Sequence, residues 1–121
     1  MIAGIGIDLV KIERVAGLFK KFGERLEKKV LTSKERKMLS EKFSKIESLA
    51  ARIAAKEAVI KALNAKNRIP LIDIEVLGAG PLEVRLKRRA ASRLAEIKGK
   101  NVFVSIAHES NLAIAVAIAE G

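Results

Sequence analysis

The chain has 121 residues, no cysteine, a single histidine and a formal net charge of +10 from 24 Lys and Arg against 14 Asp and Glu. A chain of this length builds one modest core with an accessible surface of roughly 6,000 to 7,000 Å², and a composition that is 50% apolar and 31% charged excludes disorder as the main state. Without cysteine there is no disulfide, thiol nucleophile or thiolate-bound metal, and one histidine excludes a poly-histidine metal site within the chain, so any metal is held by oxygen.

Taken in chain order, Ala3, Ile5, Ile7 and Leu9 alternate with Gly4, Gly6 and Asp8, the period of a β-strand. From Lys11 onward Ile12, Val15, Phe19, Phe22 and Leu26 follow the 3–4 spacing of an amphipathic helix, with Gly23 the point where it can break. Thr32 with Glu35, and Ser44 with Glu47, have the spacing of capping boxes, which predict a short helix and then a long one from about Lys45 to Asn64. Ile72, Ile74 and Val76 form one alternating run and Leu82, Val84 and Leu86 another, joined by the turn Gly78-Ala79-Gly80-Pro81 as a hairpin. A short helix with Ala90, Leu94 and Ile97 ends near Gly99, and Val102–His108 then pairs with Leu112–Ala119 across Glu109-Ser110-Asn111. The order β-α-α-α-β-β-α-β-β is that of a single small α+β domain, residues 1–121, with a largely antiparallel sheet. The apolar start reaches Asp8 without a basic leader, and no apolar run has the roughly 20 residues of a bilayer span, which predicts a soluble cytoplasmic protein.

The positive charge calls for an acidic partner. Nucleic acid is the first candidate, because phosphate neutralisation supplies most non-specific affinity. Against it, the only aromatics are four Phe, with no Tyr or Trp to stack on bases. An acidic protein surface or a polyphosphate small molecule accounts for the charge equally well.

Four features carry chemistry. Asp8 follows Gly4 and Gly6 on one strand face, where another backbone or a ligand can approach closely; it equally well ends the strand or caps the next helix. Glu57 falls inside the apolar stripe of Ile46, Leu49, Ala50, Ile53 and Ile60, where a carboxylate must be paired, protonated or bound to a cation. Its plain alternative is an exposed i,i+4 pair with Lys61, although Ala51, Ala55 and Val59 indicate that both sides of this helix are covered. An Asp and a Glu brought together make a hard oxygen site suited to magnesium with waters and substrate phosphates. His108 ends the strand of Val102, Val104 and Ile106, a position open to a structural role or to a base or phosphate contact. Arg14, Lys21, Arg25 and Lys28 share one helix face if that helix continues through Gly23, and their common sign is offset by an acidic partner.

Together these pieces resemble one family. Gly4-Ile5-Gly6-Ile7-Asp8-Leu9-Val10 with Ile12-Glu13-Arg14 is similar to the N-terminal block of the holo-(acyl-carrier-protein) synthases within the 4′-phosphopantetheinyl transferase superfamily. Val30-Leu31-Thr32 with Glu35, Ala51 to Ala58 with Lys61-Ala62, Gly80-Pro81 and Val104-Ser105-Ile106-Ala107-His108 resemble further blocks in the same order and spacing. The resemblance implies transfer of the 4′-phosphopantetheine arm of coenzyme A to a serine of apo acyl carrier protein, a step of fatty acid biosynthesis and lipid metabolism that releases adenosine 3′,5′-bisphosphate. By the same resemblance Asp8 and Glu57 hold magnesium or manganese and, with Lys61, form the catalytic group. Arg52, Lys61, Pro81 and His108 then bind coenzyme A, and the stripe of Arg14, Lys21, Arg25 and Lys28 docks the carrier protein. A homotrimer with shared active sites is implied, and neither membrane nor nucleic acid is an expected partner. The sequence departs from the family where Asn64-Ala65-Lys66-Asn67-Arg68 stands in place of the usual Gly-Thr-Gly loop, and where Ile53 replaces an aromatic. A basic nucleic-acid-binding protein and a catalytically silent, carrier-binding relative are the alternatives.

Overall fold

The computed structural model describes residues 1–40 and 45–121; the Ser44 half of the second capping box lies outside them. Strand β1 (Ile2–Lys11) is followed by four helices, α1 (Ile12–Phe22), α2 (Glu24–Val30), α3 (Ser33–Ser40) and α4 (Lys45–Ala62). A 3-10 turn, Leu71–Asp73, leads into the hairpin β2 (Ile74–Leu77) and β3 (Glu83–Leu86). Then come α5 (Arg88–Glu96) and the long hairpin β4 (Asn101–Glu109) and β5 (Leu112–Glu120). Sheet order is β1-β5-β4, antiparallel throughout, with β2-β3 as a separate two-stranded ribbon.

The expected α+β architecture stands, with two local differences. Gly23, at φ 56° and ψ −130°, turns the chain between α1 and α2, so the predicted long first helix is two short ones. A residue with a Cβ rarely takes that conformation. Ile72 belongs to the 3-10 turn and β2 begins two residues later, because the buried Asp73 carboxylate there accepts from Arg88 Nε at 2.9 Å and from the Arg89 amide at 3.1 Å.

The core lies between α4 and one face of the main sheet. Ala113, Ala115, Ala117 and Ala119 of β5 are fully buried beneath α4, itself rich in buried alanines. Small side chains let the helix sit close, and on β1 even alanine is too large. A Cβ on Gly4 would come within 1.8 Å of the Ala62 carbonyl oxygen, and one on Gly6 within 1.9 Å of that of Ala58. The glycines beside Asp8 therefore admit a helix backbone, and they bring β1 against the turns of α4 that carry Glu57 and Lys61.

The opposite face of the same sheet is uncovered. Ile5, Ile7 and Leu9 of β1 are 58–61% exposed, and Phe103 of β4 is 55% exposed. The register sets Ile5, Ile118 and Phe103 side by side, and next to them Ile7, Val116 and Ser105. The accessible surface of 7374 Å² accordingly exceeds the range anticipated for a closed monomer of this size.

Candidate active site

Consecutive residues on α4 lead into two different charged clusters. Lys56 points inward, fully buried, with Nζ 2.6 Å from Glu35 Oε1 and a second hydrogen bond to the Val30 carbonyl. Glu35 completes the Thr32 capping box, accepting from the Thr32 amide at 2.8 Å, and its other oxygen accepts from the Val76 amide at 2.9 Å. Burial lowers the Lys56 pKa, and the Glu35 charge opposes that shift. Among the described residues no buried side-chain nitrogen or oxygen lacks a partner, so this cluster is satisfied and joins α2, α3, α4 and β2.

Glu57 points the other way, toward Asp8. Burial pushes its carboxyl pKa upward, the Asp8 charge adds to the rise, and Lys61 and Arg68 pull it back. Lys61 does not form the i,i+4 pair with Glu57. Its Nζ lies 3.1 Å from Asp8 Oδ1 and donates to the Ile7 carbonyl at 3.0 Å. Two carboxylates and one exposed ammonium thus stand together where β1 meets α4. Beside them runs a cleft of about 730 Å³ lined by Glu57, Lys29, Ile60 and the segment Ala65 to Ile72.

The donor set suits a hard divalent cation. Two like charges raise one another's cost, and a cation between them removes it. Among the described residues no third His, Cys, Asp or Glu joins them, so an ion held here would take its remaining oxygens from water or a bound phosphate, as magnesium commonly does.

The other expected site residues fall elsewhere. Arg52 is 4% exposed, and its guanidinium donates to the Val76 carbonyl at 3.0 Å and the Gly78 carbonyl at 3.2 Å. These bonds use Nε and Nη2 and hold the β2–β3 ribbon on α4. His108 pairs in register with Ala113 and is exposed on β4, with β5 between it and β1, so this chain does not bring it to Asp8. Pro81 is exposed on the β2–β3 turn. Arg14, Lys21, Arg25 and Lys28 are all exposed, but the break at Gly23 divides them between α1 and α2, so the single continuous helical face is corrected to two. Lys21 and Arg25 flank the Phe22 ring at 5.3 and 5.9 Å, and Leu18 and Phe22 add exposed apolar surface to α1. One contributor escaped the sequence reading: Lys56 acts through Glu35, more than 20 residues away, and local spacing carries no trace of that pairing.

A family model described as the 4′-phosphopantetheinyl transferase superfamily matches residues 4–117. The chain belongs to that superfamily. Within it, the chain is 42% identical over 122 residues to a holo-[acyl-carrier-protein] synthase of Caldicellulosiruptor bescii, covering 99% of each. It is 36% identical to the one from Thermodesulfovibrio yellowstonii, covering 98% of each. Among solved structures, the Neisseria meningitidis holo-[acyl-carrier-protein] synthase superposes with a TM-score of 0.89 at 31% identity over the whole of both chains. The Helicobacter pylori synthase, solved in complex with coenzyme A, superposes at 0.82 with 26% identity, over 96% of this chain and 99% of its own. Asp8, Glu57 and Lys61 all lie inside the segment that carries the superfamily match.

Proposed function

We propose that this protein is a holo-(acyl-carrier-protein) synthase, which moves the 4′-phosphopantetheine arm of coenzyme A to a serine hydroxyl of apo acyl carrier protein. The observation that carries the reading is the meeting of Asp8, Glu57 and Lys61 where β1 meets α4, with Glu57 lining a cleft, in a chain of this superfamily. The serine oxygen attacks the pantetheine-side phosphorus of the pyrophosphate. The bond from that phosphorus to the bridging oxygen breaks, adenosine 3′,5′-bisphosphate leaves with the electron pair, and the serine proton goes to a base.

In this reading Asp8 and Glu57 hold magnesium, which when bound offsets negative charge on the pyrophosphate oxygens. Manganese has the same preference for oxygen and would also serve. Lys61, on a long exposed stem, turns from Asp8 to the donor's phosphates. The cationic segment Lys66 to Arg68, on the wall of the cleft, adds positive charge where the donor enters. The basic rim of α1 and α2, with Leu18 and Phe22 as apolar contacts between the charges, receives the acidic carrier protein.

The exposed apolar sheet face supports self-association, and we assign it to a homotrimer. Ile5, Ile7, Leu9, Ile114, Val116, Ile118 and Phe103 are too large a contiguous patch for a monomer to leave in water. In such an assembly His108 and Pro81, remote from Asp8 in their own chain, serve a neighbour's cleft. Work in the cytoplasm on fatty acid synthesis belongs to the same reading, and among the described residues no helix is long and apolar enough to cross a membrane.

The test is the intact mass of an apo acyl carrier protein incubated with this protein, coenzyme A and magnesium, beside a chelator control. A magnesium-dependent gain of one phosphopantetheine arm is expected. No gain with any of several carrier proteins would leave a silent carrier-binding relative or a nucleic-acid binder as the better account.

A further inference from the structure

The end of α4 is held from outside the helix. The last carbonyls of any helix lack intrahelical donors, and here the chain turns sharply after Ala62, with Asn64 in the left-handed region at φ 52°. Arg93, on α5 and about 30 positions further on, holds the two carbonyls just past the helix end. Its Nε donates to the Leu63 carbonyl at 2.9 Å and its Nη2 to the Asn64 carbonyl at 2.8 Å, while Nη1 is fixed by Glu96 at 2.9 Å. One planar guanidinium thus takes two successive carbonyls at a helix C-terminus, where positive charge is favoured. On the opposite side, the Ala62 carbonyl presses on Gly4. The turn between Lys61 and the cationic segment is clamped from both sides.

We infer that Arg93 is a positioning residue for the transfer reaction: from α5 it sets the exit of α4, and so the placement of Lys61 and of Lys66 to Arg68 around the cleft. The inference rests on the proposed transferase reading and deepens it. This chain lacks the short glycine loop expected here, and in its longer cationic segment Lys66, Asn67 and Arg68 are exposed, held further along by Arg89 Nη1, which donates to the Arg68 carbonyl at 3.5 Å. Fixing the two carbonyls from which that segment departs limits the directions in which Arg68 reaches toward Glu57. Displacements of about 1 Å are enough to change rates substantially when binding groups must meet a phosphate in one geometry.

The experiment compares Arg93→Ala, Arg93→Lys and wild type in steady-state transfer, thermal melting and amide hydrogen exchange. In Arg93→Ala the KM for coenzyme A should rise about fivefold or more while the KM for carrier protein stays within about twofold. Exchange should quicken at residues 63–69 and not in β5. Arg93→Lys, which retains the charge on a single donor nitrogen, should recover part of the KM. A folded Arg93→Ala with unchanged KM for coenzyme A would overturn the inference. So would a loss that raises both KM values together, with faster exchange throughout the sheet, since that pattern describes general destabilisation. If the wild type transfers nothing, the transferase reading fails by itself, and unaltered exchange at 63–69 in the alanine variant would separately remove the clamp.

Discussion

Lys56 and Glu57 are neighbours in sequence and opposites in environment. Lys56 is sealed from water with Glu35, and every buried side-chain nitrogen and oxygen around them has a partner. Glu57 stands at an open cleft beside another carboxylate, and its pKa is raised by burial and by the Asp8 charge. The first cluster spends its charges on the protein itself. The second leaves charge unanswered, and a cation and a phosphate can answer it. Both belong to one stretch of helix that the superfamily match covers, so a matching motif does not separate scaffold from chemistry; the state of satisfaction of each group does.

The comparison can be broken at either cluster. Asp8→Ala or Glu57→Ala should lower transfer by about a thousandfold, the scale for removing charge stabilisation at a reacting centre, with melting temperature and circular dichroism close to wild type. Retained turnover in both would remove the metal-site proposal. Lys56→Met should do the reverse: it leaves Glu35 buried without its cation, which costs about 3–5 kcal/mol, read as a fall in denaturant midpoint. Adding Glu35→Gln should restore part of that loss, and a double variant no better than the single one would refute the pairing. Gly6→Ala drives a methyl onto the Ala58 carbonyl, and the overpacking should cost about 1–3 kcal/mol while lowering activity through displacement of α4 against Asp8.

The smallest effect concerns pH. A carboxyl whose folded pKa lies above its unfolded value binds protons more tightly when folded, so the stability it contributes is present at low pH and lost as pH rises through the folded pKa. Glu57 is such a group, raised from 4.5. At neutral pH in chelator, Glu57→Gln should therefore melt slightly above wild type. The gap should close as pH falls below about 4.5, and magnesium should stabilise only the wild type. A Glu57→Gln protein that melts below wild type at neutral pH would show that the carboxylate is already satisfied.

Periodicity carried most of the fold, because strand alternation, helical stripes and the Thr32–Glu35 cap are local and depend on neighbours in sequence. Asp8 and Glu57 were legible as candidates, since a carboxylate following two glycines and another within an apolar stripe each break a local pattern. What spacing left open was their partners. Lys61 stands one turn from Glu57 yet pairs with Asp8, more than 50 residues away, because Gly4 and Gly6 let β1 close on α4. Arg52 has the residue type of a phosphate ligand, and only packing reveals that its guanidinium also donates to the carbonyls of Val76 and Gly78. Arg93 and its carbonyls share no motif at all, since backbone acceptors look alike in any sequence.

By itself, then, the sequence determined most of the elements, the family and two candidate carboxylates, because each is written in residue type and short-range spacing. The tertiary structure alone decided which charges are answered and which are left open, because burial and pairing across dozens of residues depend on how closely helix and sheet approach.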